Sequence, residues 1–384
     1  METRKLYYED CLLREFTARV LSCEKHEKGW EIILSATAFY PEGGGQACDL
    51  GSLGGAQVLD VQEQGETVVH LCDRPLDVGA EAAGVIDWER RFDLMQQHTG
   101  EHMVSGVIHR RYGWHNVGFH MGSEVITIDF DGVVPAEELS AIEAEVNAGI
   151  WADLPVRCWY PSPEALPQVG YRTKKQLPWP VRIVEIPGFD KCACCGVHTS
   201  HTGQVGLVKI FSSIGCRGGS RLEMACGKRA FDMLNQAFDQ NRQVSQAFSA
   251  HISGTGEAAR QMNETLEQEK LRYGALQKKL FRFVAESYRN RGNVLHFEEN
   301  LDSVQVRELA DAIADGCGGF AAVFSGREET GYGYAIVTRE GDLRQLGKAM
   351  NAALSGRGGG KPIFQQGRVL SPKSRIEEFF REYC

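Results

Sequence analysis

The chain lacks any apolar run that approaches the length of a membrane span, which excludes a lipid-buried helix from its plan. Its first residues, Met1-Glu2-Thr3-Arg4-Lys5-Leu6, lack the basic-then-apolar order of a signal peptide. Positive charge is not in excess either. A formal net charge of −9 argues against a surface built throughout for nucleic acid and leaves room only for a local basic face. The glycine run Gly356-Arg357-Gly358-Gly359-Gly360-Lys361-Pro362 lacks the Gly-Lys-Ser/Thr order of a nucleotide phosphate loop, so ATP binding does not follow. These absences predict a soluble, cytoplasmic, globular protein. Its 384 residues suffice for two to four domains.

Twelve cysteines are present. In a reducing compartment the scattered Cys48, Cys72, Cys158, Cys226 and Cys317 read as buried thiols. The denser group Cys192, Cys194, Cys195 and Cys216 reads as part of a metal site.

That group has a distant complement in Gln97-His98-Thr99-Gly100-Glu101-His102. Phe92, Met95, Val104, Val107 and Ile108 form an apolar stripe around it and Asp93 is a candidate cap, so a helix is expected. One helical turn then puts His98 and His102 on the same face. Cys194 and His198, again four apart, can complete a tetrahedron. Imidazoles with a thiolate suit Zn2+ better than calcium or magnesium. The zinc-protease pattern places Glu directly after its first His; Thr99 stands there instead, so that reading is disfavoured.

Residues 1–90 carry short apolar or alternating runs (Phe16 to Leu21, Trp30 to Leu34, Val58 to Val61, Thr67 to Leu71) between turn signals, which predicts a small β-barrel. Inside it, Gly43-Gly44-Gly45 lets the backbone pass close to a ligand or another strand, and composition alone favours a structural turn. Residues 91–227 mix the histidine helix, a strand over residues 122–131, a helix from Pro135 to Ile150, and strands at Val181 to Ile186, Val205 to Ile210 and Arg221 to Met224. That mixture, without a βαβ rhythm, predicts an α+β domain. Residues 228–290 show two heptad patterns joined at Ser253-Gly254-Thr255-Gly256, with Asn241, Ser245 and Glu269 as polar seam positions. An antiparallel hairpin or a dimeric coiled coil would satisfy them. Residues 291–384 alternate strands and helices, with a last helix from Pro372 and a locally basic end that includes Arg357 and Lys361.

His98-Thr99-Gly100-Glu101-His102 and Cys194-Cys195-Gly196-Val197-His198 resemble the paired zinc motifs of alanyl-tRNA synthetase editing domains and of the freestanding AlaX-type editing proteins. Phe39 to Gln46 looks like the glycine-rich motif of the barrel that precedes those domains. His201 to Gly206 and Arg217 to Glu223 continue the likeness. The helical pair, Gly358-Gly359-Gly360-Lys361-Pro362 and Gln366-Gly367 resemble the DHHA1-type C-terminal domain. The likeness runs in order along nearly the whole chain and fits the long freestanding form best. Threonyl-tRNA synthetase editing domains share the zinc pattern, so the metal motif alone does not choose the substrate. Three positions depart from the family: Cys195 stands for Gly, Val197 for Thr and Ser220 for Arg. The first two could reshape the amino-acid pocket, and the third could weaken contact with RNA.

The resemblance implies hydrolysis of the ester joining serine or glycine to tRNA(Ala), with Zn2+ on His98, His102, Cys194 and His198. A second hydrolytic site raises accuracy where a synthetase pocket separates small side chains poorly. Thr99, beside a ligand, is the candidate partner for the serine hydroxyl. Gln46 is expected to orient water or substrate from the barrel, and Glu101 is available as a proton acceptor. Lys174, Lys175, Arg217 and Arg221 are expected to meet the acceptor end of tRNA, with Arg357 and Lys361 on its body. A homodimer through the helical pair or C-terminal domain is expected. The competing readings are a deacylase for another mischarged tRNA, such as Ser-tRNA(Thr), and a zinc-stapled tRNA-binding protein without catalysis.

Overall fold

The computed structural model describes residues 2–173, 180–216 and 218–384. They form a mixed α and β, multidomain chain with two compact units, Met1–Gln243 and Val244–Cys384. Among the described residues no helix is long and apolar enough to cross a membrane.

In the first unit, strands Glu15–His26, Gly29–Leu34, Thr67–Cys72, Ala56–Gln64, Gly51–Leu53 and Glu81–Ile86 close, in that order, into a barrel. Alternation along each strand sends one set of side chains inward: Val20, Ile32, Leu34, Val58, Val61 and Val68 are buried together. The strand ending at His26 pairs directly into Gly29, so of the polar run Glu24 to Gly29 only Glu27 and Lys28 form the turn. The strands Gly51–Leu53 and Glu81–Ile86 had no pattern strong enough to announce them.

His70 lies in this core, fully buried. Its Nε2 is 2.8 Å from Thr37 Oγ1 and its Nδ1 is 3.1 Å from the Ile32 carbonyl. Burial pushes the imidazole down to about 4. A histidine neutral in the fold and ordinary when unfolded stabilises the fold above the unfolded value of about 6.5. That contribution, on the order of 3 kcal/mol, is lost as pH falls from about 6.5 towards 4. The melting temperature is therefore expected to drop across that window. His70→Gln should remove this part of the slope; an unchanged slope in the variant would assign the drop to other groups.

The barrel hands the chain to helix Trp88–Tyr112. The cap is Asp87, whose side chain accepts from the Arg90 N–H, and not Asp93; Asp93 instead pairs with Arg229 at 2.6 Å. Arg91 is fully buried and forks onto Asp49 and the Ala38 carbonyl, both in the barrel segment. Breaking such a buried pair from one side typically costs about 3–5 kcal/mol, so this contact fixes where the helix leaves the barrel.

A four-stranded antiparallel sheet, ordered Val208–Cys216, Gly219–Cys226, Ile126–Phe130, Asn116–Met121, packs on this helix and on helix Leu139–Trp151. The shared core includes Met103, Val107, Ile128, Ile142, Val146 and Leu222. A second antiparallel sheet, Arg157–Trp159, Ile183–Ile186 and Asp190–Ala193, delivers the cysteine loop. The helix Gly227–Ala247 follows directly on this region.

The second unit contains helix Thr255–Glu286 and a five-stranded sheet ordered Gly292–Glu298, Gly318–Arg327, Gly331–Thr338, Phe364–Val369, Arg357–Lys361. Its first pair is parallel and bridged by helix Ser303–Cys317, which Asp302 and Gln305 start with a reciprocal capping box. Cores lie on both faces of the sheet, one around Leu309 and Ile313, the other around Met350, Ile376 and Phe380. The glycine run forms an edge strand, paired residue by residue with Phe364–Val369. The apolar seam residues Met262, Leu266, Tyr273, Leu276, Leu280 and Phe283 stand exposed along the long helix.

Candidate metal centre and editing site

The histidine helix and the cysteine loop meet inside the first unit. His98, His102, Cys194 and His198 are all buried or nearly so, and one donor atom from each lies within 4.8 Å of the others. Cys194 Sγ is 3.4 Å from His98 Nε2 and 3.5 Å from His198 Nε2. A tetrahedral zinc ion with bonds of about 2.0–2.1 Å to nitrogen and about 2.3 Å to sulfur sets that edge at about 3.5 Å. The donor set therefore fits the ion by size as well as by type.

Each imidazole is oriented from behind. His98 Nδ1 is 2.9 Å from Gln46 Oε1, His102 Nδ1 is 2.9 Å from Asp190 Oδ2, and His198 Nδ1 is 3.3 Å from Thr99 Oγ1. Gln46 Oε1 also accepts from the Val197 N–H at 3.2 Å, so it is the amide oxygen that faces His98. His98 must then carry its proton on Nδ1, which leaves Nε2 as a lone pair for a metal. The Gln46 Nε2 is buried without a partner among the described residues.

Electrostatics agree with a thiolate centre. Burial disfavours charge on Cys194, but His98 and His102 hold its thiol well below the ordinary range. Burial also opposes charge on His102, yet the Cys194 thiolate and Asp190 raise it well above its usual value. His198, buried and facing His98, falls to about 3. A divalent ion that takes the place of the His102 proton would leave one thiolate and three neutral imidazoles. Asp190 is itself drawn down to about 2 against its burial, by His102 and by Arg172, whose Nε and second guanidinium nitrogen reach it at 2.7 and 2.9 Å. The chain Arg172, Asp190, His102 is a feature that no local sequence signal marks. Asp190→Asn should weaken binding of added Zn2+ at this candidate site by about 10- to 100-fold, read by competition with a chelator. Unchanged affinity would show that His102 needs no such support.

The cysteine loop is shaped by its glycine. A Cβ at Gly196 would stand 2.1 Å from His98 Cε1, so the loop can close over the ring only there. Arg182 clamps the loop from its other side, donating to the carbonyls of Cys194 and Gly196 at 3.0 and 2.9 Å. The barrel motif is a tight turn: Gly43 and Gln46 bond reciprocally, and Gly44 and Gly45 take φ of +60° and +83°. It is a structural turn and a wall of the site at once.

A cavity of about 430 Å3 opens on three of the four donors, His98, His102 and Cys194, and is bounded also by Gly45, Glu101, Val117, Phe119, Arg172 and Cys192. Phe119 lies 5.5 Å from the His98 ring. Glu101 is buried on this wall. Its Oε1 accepts from Ser105 Oγ at 2.6 Å and from Asn116, while Oε2 is 3.9 Å from His102 Nε2.

Other expected residues fall elsewhere. Thr99 does not line the cavity; it is fully buried behind His198 and accepts from the Thr199 N–H at 3.1 Å, so it does not fit the reader of a substrate hydroxyl. Val197 points into a core with Tyr7, Tyr40 and Met95, away from the cavity. Ser220 is buried between Gly132 and Val134, so its departure from Arg removes no exposed contact. Among the described residues Cys195 and Cys216 join no ligand group, whereas Cys192 groups with His102 and Asp190. Cys158 is exposed, unlike the other scattered thiols named with it. Arg221 is half exposed and forks onto Asp129. Lys174, Lys175 and Arg217 lie outside the described residues. In the second unit Arg357 and Lys361 are exposed, and Arg357 borders a cavity of about 410 Å3 with Arg344 and Lys348.

A barrel followed by an α+β domain with this donor set defines the class. Residues 181–224 match the threonyl and alanyl tRNA synthetase second additional domain, and residues 3–90 match the class II (A) tRNA synthetases. Alanyl-tRNA editing protein Aarsd1 of Danio rerio is 27% identical over 389 residues, covering 96% of this chain and 94% of that protein. The Mus musculus Aarsd1 is 28% identical, covering 97% and 95%. The alanine--tRNA ligase of Thermofilum pendens is 32% identical over 97% of this chain, which spans only 43% of that enzyme. Over nearly its whole length the chain is similar to proteins named alanyl-tRNA editing protein.

Proposed function

We propose that this protein is a trans-editing deacylase that hydrolyses the ester of tRNA(Ala) carrying serine or glycine at a zinc centre. The observation that carries the proposal is the convergence of four buried donors from two distant segments, three of them on the wall of a cavity that also holds a buried carboxylate. His98, His102, Cys194 and His198 would hold the ion, which supplies positive charge beside the scissile ester when bound. Glu101 would take a proton from the attacking water. The water oxygen bonds to the ester carbon, the carbon–oxygen bond to the ribose breaks, and the ribose oxygen leaves with a proton. Gln46 and Thr99 act as positioning residues, on His98 and His198. The relatives' name, alanyl-tRNA editing protein, supports the substrate class.

Residues 1–90, 91–227, 228–290 and 291–384 are proposed as barrel, editing domain, helical pair and DHHA1-like domain. Arg221, Arg357 and Lys361 are proposed to meet RNA, and the apolar seams to pair in a cytoplasmic homodimer. Light scattering tests the dimer; a strict monomer at high concentration refutes it.

A second reading is favoured by the ligand count. Four protein donors make a closed set, the form typical of structural zinc, as in a tRNA-binding protein without catalysis. Purified protein should be assayed with Ser-tRNA(Ala), Gly-tRNA(Ala) and Ser-tRNA(Thr). Fast release of amino acid from the first two is expected. Binding without release supports the second reading, and release from Ser-tRNA(Thr) alone points to the other deacylase. Affinity for tRNA is expected to fall steeply between low and high salt.

A further inference from the structure

We infer that the cleft beside Tyr160, on the far side of the Cys194–Gly196 turn from the metal cavity, binds the single-stranded nucleotides that precede the aminoacylated 3′ end of the RNA. The inference rests on the proposed deacylase reading for its ligand. An aminoacyl ester is carried on the last ribose of a single strand, so the reacting carbonyl cannot enter the metal cavity unless the preceding nucleotides lie in adjoining space. A cavity of about 1140 Å3, bordered by Tyr8, Tyr160, Arg182 and Cys195 and by charges of both signs, Arg4 and Lys5 with Glu2, Glu63 and Glu66, adjoins it. Cys195 borders both spaces and is exposed, so the turn is a sill between them. A cavity of about 440 Å3 behind Arg172 shares that residue with the metal cavity, and there the Arg172–Asp190 ion pair stands between them.

The cleft has the chemistry of a single-strand platform. Tyr160 is 49% exposed although it is a large aromatic, and its ring stands edge-on to Tyr8 at 6.5 Å. The Tyr8 ring is covered instead by the Arg182 guanidinium, 4.6 Å from its centroid, and the Tyr8 hydroxyl donates to the Cys195 carbonyl at 2.7 Å. Tyr8 and Arg182 therefore hold the sill, and Tyr160 is left to take a base on its face. Arg4 and Lys5 are paired with Glu9 and Glu63, and Glu2 and Glu66 also border the cleft, so its lining is balanced in charge and stacking, with little phosphate attraction, is the interaction it offers.

Two substrates separate this role from a general effect on the fold: full Ser-tRNA(Ala), and the seryl ester of adenosine, which has no preceding nucleotide. Tyr160→Ala is expected to raise KM for the full substrate about tenfold and so to remove most of the preference for it over the short ester, while Tyr160→Phe restores that preference. Loss of activity on both substrates in equal measure, or a preference that survives the alanine variant, overturns the inference. Fluorescence anisotropy with an uncharged single-stranded RNA carrying a tRNA 3′ end gives a second readout, with about tenfold weaker binding expected for Tyr160→Ala. If the wild type hydrolyses none of the esters but binds this RNA in a Tyr160-dependent way, the deacylase reading falls and the cleft stands. Binding that ignores Tyr160 sinks the cleft alone.

Discussion

On the proposed zinc-dependent deacylase reading, Cys194→Ala is expected to abolish metal binding and to slow release of serine from Ser-tRNA(Ala) by about a thousandfold or more. Cys194 is the one donor of the four that can be anionic, and the two helix histidines hold its thiol well below the ordinary range. Without it, three neutral imidazoles face a dication with nothing to balance its charge, in a pocket where every donor is buried. A bound Lewis acid contributes several kcal/mol at the reacting ester, which corresponds to a loss on the order of a thousandfold. Metal content by atomic absorption and single-turnover hydrolysis should fall together. The fold itself should survive, because the loop is also held by Arg182 and Gln46. Full turnover by a metal-free variant would remove zinc from the reaction.

How the site could be read from sequence follows from where each residue draws its position. His98 and His102 are one helical turn apart, so their convergence is a local fact that spacing exposes. Cys194 and His198 share a spacing that signals the same chemistry, though only the fold shows that the loop closes over His98 because Gly196 has no side chain. The supporting residues are different. Asp190 reaches His102 because the strand Asp190–Ala193 crosses the helix, a tertiary relation that leaves no periodic trace. Thr99 looked available for substrate because it neighbours a ligand in the chain, but a helix turns successive side chains by about 100°, and that rotation carries it behind His198. Val197 turns into the core for the kindred reason that alternate residues of an extended loop face opposite ways. In the barrel the strands with apolar alternation were legible, and the short Gly51–Leu53 was not, because three residues hold less than two periods of any pattern.

Glu101→Gln should leave zinc in place and lower kcat by about a hundredfold to ten-thousandfold, the range associated with a positioned proton acceptor. The carboxylate is outside the four-donor set, so metal content tests only whether the substitution disturbs its neighbours. Its geometry assigns the two oxygens different work. Oε1 is anchored by Ser105 and Asn116, and a glutamine oxygen can accept the same two bonds, so the side chain keeps its direction. Oε2 lies on the side of His102 Nε2, where an ion would sit and where the attacking water would give up its proton, and there an amide nitrogen replaces an acceptor with a donor. The loss should therefore appear in kcat and leave KM nearly unchanged, and it should shrink as pH falls, because protonating the wild-type carboxylate removes the same acceptor. Ser105→Ala loosens the anchor without removing the base, so a smaller loss, about tenfold, is expected from it. If Glu101→Gln turns over within about threefold of the wild type, the carboxylate is only a packing partner for Ser105 and Asn116, and the proton must leave by another route.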